Sequence, residues 1–133
     1  MTYGANNYKK MQVSTASPGQ ILIMLYEAAI QNVKKATQAI EQKNVADKGK
    51  YIGKAHDIIN ELNCSLNHEV GGDITKELEK LYNFMITQLI KANVENDIAP
   101  LTAIQKNLET LLDGWKGAVA NMQKEMSAKK SSL

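Results

Sequence analysis

The chain has 133 residues, of which 44% are hydrophobic and 23% charged, with a formal net charge of +2. This length suits one globular domain with a substantial core, and so small a charge argues against a nucleic-acid surface. The longest apolar run, residues 21–25, falls far short of the roughly 20 residues of a membrane span. A single cysteine, Cys64, excludes an intrachain disulfide. The single cysteine is typical of a reducing compartment, and the polar N-terminus lacks a signal-peptide pattern. Together these features predict a cytoplasmic protein without membrane insertion.

Residues 1–16 are predicted to form an N-terminal leader without regular structure. They are mostly polar and contain Gly4 and several amide side chains, with no apolar periodicity. Between Met1 and Thr15, the apolar side chains apart from Ala5 are Tyr3, Tyr8, Met11 and Val13. We expect these to be the points at which the leader contacts other surfaces.

The first helix is predicted over residues 17–42. Ser17 can cap it, Pro18 suits its first turn, and Gln20 completes a capping box three residues after the cap. At about 100° per residue, one apolar stripe follows the helix. Its members are Ile21, Leu22, Leu25, Ala29, Val33, Ala36 and Ile40.

The second and third helices are predicted over residues 45–68 and 74–92. Asn44 can cap the second, Gly71 and Gly72 should end it, and Asp73 can cap the third. The apolar face of the second comprises Tyr51, Ile52, Ala55, Ile58, Ile59, Leu62 and Leu66. That of the third comprises Ile74, Leu78, Leu81, Tyr82, Met85 and Leu89.

The fourth helix is predicted to start between residues 97 and 100, with Pro100 in its first turn, and to end near Met126. We expect Trp115 to be buried in it, and residues 127–133 to form a frayed polar tail. Short connections place consecutive helices antiparallel, which predicts an all-α, up-down-up-down four-helix bundle over residues 17–126. The apolar stripe of the fourth helix is Leu101, Ile104, Leu108, Leu111, Leu112, Trp115, Val119, Met122 and Met126.

Catalytic and metal-binding patterns are weak throughout the sequence. Cys64 and His68 are four residues apart and could share a helix face, but two such ligands are too few for a structural zinc site. His56 invites comparison with histidine phosphotransfer domains, which favour a Lys-Gly pair shortly after the histidine. Here Asp57 follows instead. We therefore expect no enzyme activity, no cofactor and no metal, and rank phosphotransfer at His56 as a distant alternative.

Several isoleucines lie outside the predicted core stripes. Ile23 and Ile30 are seven residues apart in the first helix, and Ile86 and Ile90 are four apart in the third. Because a stripe about 100° wide is sufficient for a bundle core, these side chains either widen the core or form a surface for a partner helix.

Ordered motifs from Tyr8 to Trp115 resemble FliS, the bacterial flagellin export chaperone. Tyr8 with Gln12-Val13 is similar to the N-terminal tyrosine segment of that family. The remaining motifs are Thr15-Ala16-Ser17-Pro18, Met24-Leu25-Tyr26-Glu27, Lys54-Ala55, Ile58-Ile59, Glu61-Leu62, Ser65-Leu66, Gly71-Gly72, Ile74, Leu81-Tyr82, Met85, Leu89, Ala92-Asn93 and Asp113-Gly114-Trp115.

This resemblance implies a helical-bundle chaperone that binds the C-terminal helical segment of flagellin. It further implies that binding prevents premature polymerisation and that the client is delivered to the export gate of the flagellar type III secretion apparatus. Tyr8, Met11 and Val13 would then dock in the client groove when flagellin is absent. The alternative is a generic four-helix adaptor for another amphipathic helix.

Overall fold

The computed structural model describes residues 17–131, with side chains as far as Lys129. Four helices account for nearly all of this part: α1 Pro18–Glu41, α2 Val45–Cys64, α3 His68–Glu95 and α4 Ala99–Ser131. Within residues 17–131 there is no strand. Both α1 and α3 pack against α2 and α4, which gives the antiparallel four-helix bundle that the sequence predicts.

Side-chain caps set the start of each of the first three helices. The Gln20 backbone N–H donates to Ser17 Oγ at 3.2 Å, and the Ser17 N–H donates to Gln20 Oε1 at 3.1 Å. The capping box predicted from the sequence is therefore present. Asn44 caps α2 by accepting from the Asp47 N–H at 3.1 Å, also as predicted.

The boundary between α2 and α3 differs from the prediction. α2 ends at Cys64, and Asn67 rather than Asp73 caps α3, since its Oδ1 accepts from the N–H groups of Glu69 and Val70. Gly72 still interrupts the helix, with φ 56° and ψ −130°. One helical turn, residues 68–71, therefore precedes the break.

α4 extends beyond the end of the bundle. Gly19, at the start of α1, lies so close to Val119 that an added Cβ would come within 2.8 Å of Val119 Cγ2. Beyond this point α1 no longer covers α4, and Met122 and Met126 are 63% and 59% exposed. Their predicted place in the core is therefore wrong. α4 continues to Ser131, past the Met126 end predicted from the sequence.

A pair of tyrosines joins the two diagonal helices through the core. The hydroxyls of Tyr26 on α1 and Tyr82 on α3 form a buried hydrogen bond. The Trp115 ring meets Tyr26 edge-on, with centroids 6.4 Å apart, and is itself partly buried. Burial raises the pKa of both tyrosines, so the shared hydrogen bond joins two neutral hydroxyls.

Replacing Gly72 by alanine should destabilise the protein, because a Cβ is strained at this positive φ. We expect a loss of about 1–3 kcal/mol in the free energy of unfolding. Gly53→Ala is the matched control: Gly53 is inside α2 with no atom within 4 Å of an added Cβ, so alanine should stabilise by up to about 1 kcal/mol. Urea unfolding measures both changes in the free energy of unfolding. Equal changes in the two variants would contradict the strained backbone conformation assigned to Gly72.

Removing one hydroxyl of the tyrosine pair should leave the other buried without its partner. Tyr82→Phe and Tyr26→Phe should each destabilise by about 1–3 kcal/mol. The double variant should cost less than the sum of the two, because it leaves no orphaned hydroxyl. A double-mutant cycle by urea unfolding measures this coupling, and additive effects would show that the pair is not coupled.

Candidate partner-binding surface

The residues considered for chemistry from the sequence do not assemble into a reactive site. His56 is partly exposed, and its Nδ1 lies 3.6 Å from Asp57 Oδ1. Cys64 ends α2 and His68 begins α3, so the two do not share one helix face as the sequence suggested. His68 Nε2 instead lies 3.0 Å from Glu79 Oε2. Among the described side chains, no group of three or more potential ligands is arranged to hold a metal.

One side of α3 carries apolar residues at every fourth position. Ile86 is partly buried against the core, whereas Ile90 and Val94 are 54% and 74% exposed. Together these three residues form what we call the α3 stripe. Since positions four apart lie above one another on a helix, the stripe gives a continuous apolar line along the surface.

A second apolar surface lies between α3 and α4. Ile74, Leu78 and Leu81 of α3 face Leu111 of α4 across a shallow depression, which we call the α3–α4 groove. Ile74 is 70% exposed, so its predicted place in the core is wrong. It lies just after the break at Gly72, beyond the end of α2 at Cys64.

Phe84, which is 53% exposed, lies one helical turn beyond Leu81 and extends the apolar surface of α3. Carboxylates border the groove at Asp73 and Glu77. α3 as a whole has two more carboxylates than lysines. The carboxylates are Glu69, Asp73, Glu77, Glu79 and Glu95, and the lysines are Lys76, Lys80 and Lys91.

Hydrogen bonds to α2 hold α3 in place beside the stripe. Lys48 Nζ donates to the Asn93 carbonyl at 2.9 Å and to Asn96 Oδ1 at 2.7 Å. Further along, Asn63 Nδ2 donates to Asn83 Oδ1 at 3.0 Å. The exposed apolar residues of α3 therefore project from a backbone fixed by its neighbour, which limits the ordering cost of binding.

The two isoleucines of α1 do not form a surface of this kind. Ile30 is only 7% exposed and belongs to the core, and Ile23 is partly buried against that core. Of the two outcomes that the sequence left open, Ile30 therefore widens the core. α1 packs against both α2 and α4, so a wider arc of this helix is buried than a single stripe covers.

Sequence reasoning misses two residues that matter here. The predicted third helix stops at residue 92, but α3 continues to Glu95 and places Val94 on the stripe. The four-residue spacing from Ile86 and Ile90 is the signal that could have found it. Tyr26 is absent from the predicted core because its position on the helix wheel falls beside the apolar stripe.

The predicted leader contacts Tyr8, Met11 and Val13 lie outside the described residues.

Comparison with known proteins defines the class to which this bundle belongs. A family model described as "Flagellar protein FliS" matches residues 1–122. The flagellar secretion chaperone FliS of Vibrio cholerae is 39% identical over 112 residues, 81% of this chain and 82% of that protein. The Bacillus subtilis chaperone of the same name is 31% identical over 118 residues, 89% of this chain and 87% of that protein.

A solved structure shares the fold. The crystal structure of a bacterial flagellar chaperone has a TM-score of 0.74 and 25% sequence identity, covering 89% of this chain and 96% of that one. The helical bundle and these relatives define a flagellar secretion chaperone. The chain belongs to the FliS family. No helix in the region from residue 17 to residue 131 is long and apolar enough to cross a membrane.

Proposed function

We propose that this protein is a cytoplasmic export chaperone that binds the C-terminal helical segment of flagellin. In this role it prevents premature polymerisation and delivers the client to components of the flagellar export gate. The proposal rests on the family membership and on one structural observation: α3 exposes apolar residues on both of its flanks. An amphipathic client helix can cover such a surface without entering the core.

The α3 stripe and the α3–α4 groove are the proposed client-binding surface. Exposed side chains at 54% for Ile90 and 74% for Val94 provide apolar area that a client helix would remove from water. The carboxylates at Asp73 and Glu77, which border the groove, favour basic residues on the client segment. A shallow surface of this kind supports releasable binding, since ordering the client offsets part of the interaction free energy.

The leader is proposed to occupy part of this surface when flagellin is absent. Its apolar side chains Tyr8, Met11 and Val13 would then cover exposed apolar area on the bundle. Residues 1–16 contain two lysines and no carboxylate, which suits a groove bordered by acidic side chains. A tethered segment has a high effective concentration, so even weak docking would protect the surface.

Charging the α3 stripe should weaken client binding without unfolding the protein. For Ile90→Asp with Val94→Asp, we expect at least about a tenfold loss of affinity for a flagellin C-terminal peptide, because exposed apolar contacts are replaced by charge. The melting temperature should change by no more than about 2 °C, since both residues are exposed. Isothermal titration calorimetry and circular dichroism measure the two quantities.

Met126→Asp is the matched control, because Met126 is exposed to a similar extent and lies on the projecting end of α4. It should leave affinity and melting temperature nearly unchanged. Ile86→Asp should instead lower stability by about 2–3 kcal/mol, since this side chain packs on the core. Unchanged affinity in the Ile90→Asp/Val94→Asp variant would refute the proposal that the α3 stripe binds the client. Equal binding of unrelated amphipathic helices would favour a generic adaptor.

Deleting residues 1–14 should expose apolar surface on the bundle, increase binding of a hydrophobic dye and change flagellin affinity. The full-length variant Tyr8→Asn/Met11→Asn/Val13→Asn should have the same effects, because it keeps the tail but removes its apolar contacts. Dye fluorescence, light scattering and calorimetry provide the measurements. A leader that docks nowhere would leave both variants indistinguishable from the unmodified protein in all three.

A further inference from the structure

A cluster of lysines surrounds one tyrosine on the side of the bundle formed by α1 and α2. The ammonium groups of Lys35, Lys50 and Lys54 lie 5.4, 5.3 and 5.8 Å from the centroid of the Tyr51 ring. All three lysines are exposed, and Tyr51 is partly buried against the core. We call these four residues the basic cluster.

The three positive charges of the basic cluster are only partly balanced, since, among the described residues, Asp57 is the one carboxylate that lines the adjoining groove between α1 and α2. In the part of the chain that the structure describes, none of the three ammonium groups forms an ion pair. Asp47, which is on α2 with Lys50 and Lys54, instead accepts a hydrogen bond from Asn44 as part of the α2 cap. Asp57 lies beside His56. The tyrosine ring attracts each cation, but mutual repulsion of the three charges remains.

The surface beside the basic cluster is concave. A groove between α1 and α2 has Ala28 and Ile58 among its lining residues, together with Lys35 and Lys54. Asp57 also lines this groove. A peptide segment can place carboxylates against the lysines and small apolar side chains in the groove. A flat anionic membrane would meet the lysines but leave the concave part unfilled.

We infer that the basic cluster and the adjoining α1–α2 groove bind an acidic, partly apolar segment of a partner protein. This surface is on α1 and α2, whereas the proposed client surface is on α3 and its border with α4. The two segments are therefore bound by different helices, and the acidic partner does not displace the client. Charge complementarity would supply most of its specificity and a strong dependence on salt.

The probe for this inference is a fluorescein-labelled peptide of Glu-Ala-Leu-Glu repeats, with a Gln-Ala-Leu-Gln peptide as its neutral counterpart. Fluorescence anisotropy at low ionic strength should show binding of the acidic peptide only. The variant K35Q/K50Q/K54Q should lose about tenfold or more in affinity, because three charge pairs are removed together. K35R/K50R/K54R should retain binding, since it keeps the charges.

The matched control is K106Q/K116Q/K124Q, which removes the same charge from exposed lysines of α4. It should change the affinity by less than about twofold. Equal losses in both triple glutamine variants would overturn the inference, because they would indicate only a response to net charge. Absence of peptide binding to the unmodified protein would also overturn it.

The basic cluster should act independently of the client surface and of folding. The affinity for the flagellin peptide should be the same in K35Q/K50Q/K54Q as in the unmodified protein. A failure of the acidic-peptide site is therefore distinguishable from a failure of the proposed client surface. Circular dichroism should show an unchanged melting temperature. Two other results, each without peptide binding, would overturn the inference. Lysine-dependent sedimentation with phosphatidylglycerol vesicles would assign the cluster to a membrane. Lysine-dependent self-association in analytical ultracentrifugation would assign it to a second copy of the chain.

Discussion

The hydrogen bond between Tyr26 and Tyr82 is the contact on which the arrangement of the bundle depends most. Apolar contacts tolerate small shifts of one helix along another, but two buried hydroxyls must meet or each remains unsatisfied. The pair therefore fixes α1 relative to α3, which is its diagonal neighbour. Trp115 adds α4 to the same cluster through its contact with Tyr26. Three of the four helices are thus registered at one level of the core.

This registration determines which apolar residues remain outside. α1 is covered by α2 and α4 on either side, which buries Ile30 and partly buries Ile23. α3 has the same two neighbours, yet Ile90, Val94 and Phe84 stay exposed on its outer surface. The difference lies in the packing, because α3 contacts α2 and α4 less extensively than α1 does and some of its apolar positions stay uncovered. Surplus of this kind is expected where a partner completes the packing.

The helices and their caps were predictable because they depend on local sequence. Ser17 with Gln20, and Asn44, act within a few residues of their partners. The errors concern long-range geometry. Ile74, Met122 and Met126 have core-like spacing, but each lies where a neighbouring helix has already ended. Tyr26 is the reverse case, since its polar atom is satisfied only by a residue 56 positions away.

The same limit applies to the surfaces. Helical spacing places Ile86 and Ile90 on one line, and the observed end of α3 at Glu95 brings Val94, at the same spacing, onto that line. The basic cluster joins Lys35 of α1 to Lys50 and Lys54 of α2. The short connection predicts that these two helices are neighbours, but not that the three lysines meet around one tyrosine ring. Because the cluster lies on α1 and α2, the bundle keeps its basic surface on different helices from its apolar one. With the two proposed surfaces, this bundle would distinguish two partners by chemistry, through apolar contact with one and charge with the other.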